Sequence, residues 1–106
     1  MTTDRQALVS VLADLERLLK RYQDPYAPIV TGARERIESE EKVPVPPNEL
    51  AEVRRMFGGM ATLNDIYISK VNGHRVDDEE EANRKVDELR NALWRLVVDV
   101  EELREN

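Results

Sequence analysis

The sequence predicts a mainly α-helical domain, a compact bundle of about four helices whose long N- and C-terminal members run antiparallel. Three observations predict it. Apolar residues recur at alternating steps of four and three near both ends of the chain, prolines fall at the joints between segments, and the one strand-like stretch alternates poorly. At 106 residues and without cysteine, the chain can bury a core unaided by disulfides or a structural metal, so we expect one domain, 1–106.

Each element has its own signal. Leu8, Leu12, Leu15, Leu19 and Tyr22 form a heptad seam widened by Val11 and Leu18, which predicts a first helix over about 3–23, capped by Thr3 or Asp4. Asp24-Pro25 reads as a stop and a new start, a cap followed by a proline that forfeits no helical bond. Ile29, Val30, Ala33 and Ile37 then give a weaker stripe for a second helix over 25–39. The prolines at 44, 46 and 47 make a stiff linker. Beyond it Asn48 caps a third helix, 48–57, which turns Leu50, Val53, Met56 and Phe57 inward and ends at Gly58-Gly59 through a left-handed residue.

Residues 60–76 admit two readings. One is a short β-hairpin near 66–76, with Ile66-Tyr67-Ile68 as a strand and Asn72-Gly73 as a type I′ turn. The other is a short helix capped at Thr62 that exits at Asn72-Gly73. The last segment is plainer. Ala82, Val86, Leu89, Leu93, Leu96, Val100 and Leu103 step by four and three and predict a helix over 78–104, about 40 Å long. The acidic run 77–81 before it suits the positive end of the helix dipole.

Composition excludes several functions. Without cysteine there is no thiolate chemistry, zinc ribbon or iron–sulfur cluster, and the absence fits a reducing cytoplasm. A net charge of −6 argues against nucleic acid or anionic lipid as the partner, and no apolar run is long enough to span a membrane. We therefore expect a cytoplasmic protein. All of that charge sits on residues 77–106, where 11 acidic side chains face 5 basic ones.

Few residues offer chemistry. His74 stands alone, without a second histidine or a serine elbow, which points to an exposed turn histidine; no catalytic residue, metal site or cofactor is expected. Glu35, Glu38 and Glu41 share one helical face, yet the second acidic pair that a two-helix magnesium site requires is missing. The most distinctive stretch is Phe57-Gly58-Gly59-Met60-Ala61-Thr62-Leu63-Asn64-Asp65-Ile66-Tyr67-Ile68, where an amide and a carboxylate sit between apolar flanks. It makes Asn64, Asp65, Tyr67 and His74 the candidate binding residues. Trp94 and Val98 extend the apolar arc of the last helix beyond a two-helix seam. With Glu80, Glu81, Asp87 and Glu88 they are the candidate partner interface.

On FGGMATLNDIYI at 57–68 and NGH at 72–74, with a leucine-rich first helix and an acidic start to the last, the chain resembles an uncharacterised bacterial family of small domains of unknown function. Relatives more often carry Gly-Ser at the place of Ala61-Thr62. The resemblance implies a compact, mostly helical domain in a bacterial cytoplasm and brings no activity with it.

Two function classes follow. The first is a non-catalytic module that binds another protein with a basic surface, as an immunity-type inhibitor covers a toxin. The alternative is a small-ligand protein or enzyme with its site in 57–74. A homodimer through the last helix is a third arrangement.

Overall fold

The computed structural model describes residues 4–39, 45, 47–58 and 63–105, and over these the chain forms four α-helices and no strand. They are α1 (Asp4–Arg21), α2 (Ala27–Ser39), α3 (Pro47–Arg55) and α4 (Glu79–Glu105), with a 3-10 turn at Leu63–Asp65 before α4. The molecule measures 44 × 26 × 24 Å.

The heptad seam of α1 is its core face: Leu8, Leu12, Leu15 and Leu19 are wholly buried. The helix closes through Gln23, whose φ of 60° lets its N–H reach the Lys20 carbonyl and the Asp24 N–H reach that of Leu19. This αL closure turns the chain back, and α2 packs along α1. The Glu16 carboxylate binds them together, accepting from Arg34 Nε at 2.8 Å and Nη2 at 3.4 Å. Burial pushes the Glu16 carboxyl up, but the Thr31 hydroxyl, Arg34 and Lys20 more than offset it and hold it at about 2. The Thr31 contact falls short of a full hydrogen bond and leaves that buried Oγ1 without a partner.

Helix α2 begins at Ala27, two residues later than the proline predicts. The Asp24 Oδ1 accepts the Tyr26 N–H at 2.8 Å, so Pro25 and Tyr26 belong to a turn that precedes the helix. Val30, Ala33 and Ile37 are buried as expected, whereas Ile29 is 50% exposed. Pro47, rather than a residue after Asn48, opens α3, at a position where proline forfeits no bond. Its Leu50 and Val53 are buried, as is Met56 just beyond it. Gly58 is not left-handed, and Gly59, the other residue of the expected stop, lies outside the described residues. The amides of Met56, Phe57 and Gly58 instead bond carbonyls three residues back, and the helix winds out in tight turns. Thr3, Gly59, Thr62 and most of the proline linker lie outside the described residues.

In α4, Ala82, Val86, Leu93, Val97 and Val100 are buried, while Leu89 and Leu96 are partly so. A seven-residue seam drifts by about 20° per heptad on a straight helix, which moves Leu96 toward the rim and brings Val97 in. Arg21 at the end of α1 shares a cleft with Lys85 near the start of α4, as Tyr22 O receives the Arg75 N–H, so α1 and α4 run antiparallel. Helix α3 lies against α2 and the distal half of α4, with ion pairs Arg36–Glu52 and Arg54–Glu101 at 2.7 and 2.6 Å.

The β-hairpin near 66–76 does not form among the described residues. Ile68 belongs to no strand, and the Asn83 side chain takes the place of a partner strand. Its Oδ1 accepts the Ile68 N–H at 2.7 Å and its Nδ2 donates to the Ile68 carbonyl at 2.9 Å. With both backbone groups satisfied by an amide on α4, Ile68 needs no second strand. Asn72-Gly73 does make a tight turn, with Gly73 at φ 87°, but the Asn72 and His74 amides return to the Ser69 carbonyl and do not continue a ladder.

Candidate functional site

Two turns build the principal groove. The α1–α2 turn contributes Asp24, Pro25, Tyr26 and Ile29, and the loop before α4 contributes Asp65, Ile66, Tyr67, Asn72 and His74, around an open space of about 410 Å³. Its lining is mostly apolar. Ile29 and Tyr67 stand 50% and 60% exposed, an uncommon display for side chains of that size at one place.

Buried polar contacts hold the two walls in register. His74 Nε2 lies 2.6 Å from Asp24 Oδ2, and both side chains are almost wholly buried. His74 Nδ1 faces the Ser69 main chain, 3.1 Å from the N–H and 3.2 Å from the carbonyl oxygen. It can accept from the first when neutral and donate to the second when charged. The Arg75 N–H to Tyr22 carbonyl bond, 3.0 Å, joins the walls again next door. The exposed turn histidine expected from sequence is therefore corrected to a buried one. An aspartate 50 residues away completes it, and nothing periodic in a sequence marks such a pair.

Around this pair the loop is pinned by side chains. Lys70 N–H donates to Glu79 Oε1 at 2.8 Å, Asn72 Nδ2 donates to the Tyr67 carbonyl at 3.1 Å, and Arg90 Nη1 donates to the Leu63 carbonyl at 3.1 Å. Burial pushes the Tyr26 phenol above its ordinary range.

Asp65, Tyr67 and His74 of the predicted binding set thus share one groove, and Asn64 stands apart. Its side-chain amide donates to the Phe57 carbonyl, and it borders a smaller cleft of about 230 Å³ with Phe57, Arg90, Asn91 and Trp94. Trp94 is 38% exposed. Phe57 meets it edge-on at 5.1 Å, and the Arg54 guanidinium lies 5.7 Å above its ring. Val98 is partly buried, and Glu80 is exposed.

The acidic face of α4 carries its own cations. Arg84 binds both Glu81 and Glu88, Lys85 approaches Glu81 at 3.9 Å, and Arg90 binds Asp87. The Arg84 guanidinium holds the Glu81 carboxyl below its usual range. Glu35 and Glu38 lie against Arg34, and no group of three or more metal-ligating side chains converges among the described residues. Nor is any described helix long and apolar enough to cross a membrane.

A family model described as a domain of unknown function, DUF6966, matches residues 14–77. The chain belongs to that family. The DUF6966 span runs from the middle of α1 to the acidic run and contains every residue that lines the principal groove. It also contains Asn64, whereas Glu80, Glu81, Asp87, Glu88, Trp94 and Val98 lie beyond it. No curated protein and no solved structure matches the chain.

Sequence reasoning missed Asp24, Tyr26 and Ile29 as groove residues. Asp24 reads as a helix cap, but its Oδ1 closes the turn before α2 by accepting the Tyr26 N–H, and its Oδ2 serves His74. Ile29 reads as core because it is apolar and in register. Its neighbour Val30 takes the inward position.

Proposed function

We propose that this chain is a binding module that recognises another protein through the groove between the α1–α2 turn and the 65–74 loop. The observation that carries the reading is the pair of exposed apolar side chains, Ile29 and Tyr67, on a groove whose buried polar groups are already paired. Such a site offers apolar area on a fixed frame, which is how anchor residues gain affinity. The match of the family span to the groove lining supports the same surface. A basic target suits a groove lining that holds no lysine or arginine, as for a bacterial, cytoplasmic inhibitor of the immunity type.

The acidic face of α4 is the weaker contact surface, because Arg84 and Arg90 already occupy three of its carboxylates. Catalysis draws less support. Asp24 holds Nε2 of His74 and the Ser69 main chain faces Nδ1, so neither ring nitrogen is presented to a ligand in the groove.

Capture from native lysate tests the proposal. Three baits are compared: the unaltered chain, an Ile29→Ser/Tyr67→Ala double variant, and one carrying Glu80→Lys, Glu81→Lys, Asp87→Lys and Glu88→Lys. Circular dichroism checks each fold, and light scattering shows whether the chain pairs with itself. A protein held by the first and third baits and lost from the second is the expected result. Retention by the groove variant, with loss from the charge-reversed bait, returns the contact to α4.

A further inference from the structure

The groove has no charge to spare. Its lining holds no lysine or arginine, whereas the other clefts described have Arg21 and Lys85, or Arg90, on their walls. Neither of its aspartates is left to hold a cation, since Asp24 is buried against His74 and Asp65 has a partner of its own. A charged side chain drawn into this groove would lose water and meet no counter-charge. What stays polar and unengaged is a pair of phenols. Tyr26 and Tyr67 both line the groove, and neither hydroxyl has a hydrogen-bond partner among the described residues. Burial holds the Tyr26 phenol above its ordinary range, so it stays protonated and able to donate. Two O–H donors among rings and aliphatic side chains call for carbonyl oxygens. A helix keeps its own carbonyls bonded, and a β-strand brings N–H groups that need a strand edge, which the described residues do not offer. A polyproline II segment makes no internal hydrogen bonds and its prolines have no N–H, so it presents carbonyls and apolar rings alone.

We infer that the groove receives an uncharged, proline-rich segment of the partner protein in the polyproline II conformation, with its rings packed on Tyr26, Tyr67 and Ile29 and its carbonyls accepting from the two phenols. This rests on the binding reading above and names the chemistry of its occupant. Such a segment is stiff before it binds and loses little entropy on docking. The groove is equally fixed, by the Asp24–His74 pair and by Asn72 on the Tyr67 carbonyl. Aromatic-lined grooves are the usual receptors for this conformation. Basic residues elsewhere on the partner meet no like charge here, since the lining has no lysine or arginine.

The test titrates the intact, isotope-labelled chain with blocked pentapeptides and follows backbone amides by NMR. The probes are acetyl-Pro-Pro-Leu-Pro-Pro-amide, its all-D mirror image, and the counterparts with Lys or Glu in place of Leu. The mirror image has the same composition and polarity but winds with the opposite hand. The L-peptide is expected to shift the amides of Tyr26, Ile66, Tyr67 and Asn72 saturably and to bind about tenfold tighter than its mirror image. The Lys and Glu peptides should both bind several-fold more weakly than the Leu peptide. Tyr26→Phe and Tyr67→Phe, which keep the ring and remove the donor, should each cut affinity several-fold with the fold intact by circular dichroism. Equal binding of the two mirror forms overturns the inference, and so does full affinity in both phenylalanine variants. A Lys or Glu peptide that binds as tightly as the Leu peptide, shifts confined to Glu80–Glu88, or no shifts with any peptide overturn it as well. The binding reading itself fails separately, if the Ile29→Ser/Tyr67→Ala bait still captures the partner.

Discussion

Replacing Asn83 with alanine tests how the groove wall is built. The side chain supplies both hydrogen bonds of the Ile68 backbone, at 2.7 and 2.9 Å, and a third to the Glu79 carbonyl at 2.8 Å. The Glu79 bond matters least, because that carbonyl also lies within reach of the helical ladder. The two bonds to Ile68 carry about 1 kcal/mol each, and an orphaned buried amide or carbonyl costs about 1–3 kcal/mol. Ile68 is wholly buried, so water reaches those groups only if the loop opens. The expected loss is about 2–4 kcal/mol, a large part of the roughly 5–15 kcal/mol that holds a domain folded. Urea unfolding gives the global value, and hydrogen exchange at the Ile68 amide gives the local one. That amide should exchange about 30-fold faster or more, since each 1.4 kcal/mol is a factor of about ten. Asn83→Asp keeps the bond from the Ile68 N–H but sets a carboxylate beside two carbonyls, so it should recover little. Asn91→Ala, exposed on the same helix, should change stability by less than about 0.5 kcal/mol. An Asn83→Ala protein within about 0.5 kcal/mol of the parent, with Ile68 exchange unchanged, would refute the reasoning. The loop would then be held by the packing of Leu63 and Ile68 and by its other hydrogen bonds, those of Lys70, His74 and Arg90.

Further outcomes follow from single residues. Glu16 is held at about 2 in the folded chain against an ordinary 4.5, so its stabilisation is present above about pH 4.5 and is lost as the pH falls toward 2. It amounts to at most about 3 kcal/mol and is reduced by the exposure of Lys20, and acid unfolding of Glu16→Gln should be shallower than that of the parent by about 2 kcal/mol. Gly73→Ala meets no atom within 4 Å but must hold φ at 87°, and should cost about 1–2 kcal/mol in thermal unfolding. Tyr67→Ala, at a residue 60% exposed, should leave the melting temperature nearly unchanged while it weakens partner binding.

What the sequence made legible was periodic. The seams of α1 and α4 rest on regular spacing, and Leu8, Leu12, Leu15, Leu19, Val86 and Leu93 are buried where that spacing puts them. The 60–76 stretch was not legible, because polar side chains satisfy its backbone from elsewhere in the chain. Asn83 lies 15 residues from Ile68 and on a helix, where an asparagine reads as one more solvated position. The Asp24–His74 pair spans 50 residues, and neither partner announces the other. Part of the groove lining was visible all the same. Asp65, Tyr67 and His74 were singled out by residue type in a distinctive stretch, and the fold gathers them, while the opposite wall came from a turn whose residues all had sufficient local explanations.

Site-directed photo-crosslinking tests the central claim most directly. A benzophenone amino acid placed at position 67 or at position 88 is irradiated in native lysate, and adducts are identified by mass. The groove account predicts a discrete adduct from Tyr67→benzoylphenylalanine, absent after competition with unlabelled chain, and none from Glu88→benzoylphenylalanine. An adduct from position 88 with none from position 67 would contradict it and place the partner on the acidic face of α4.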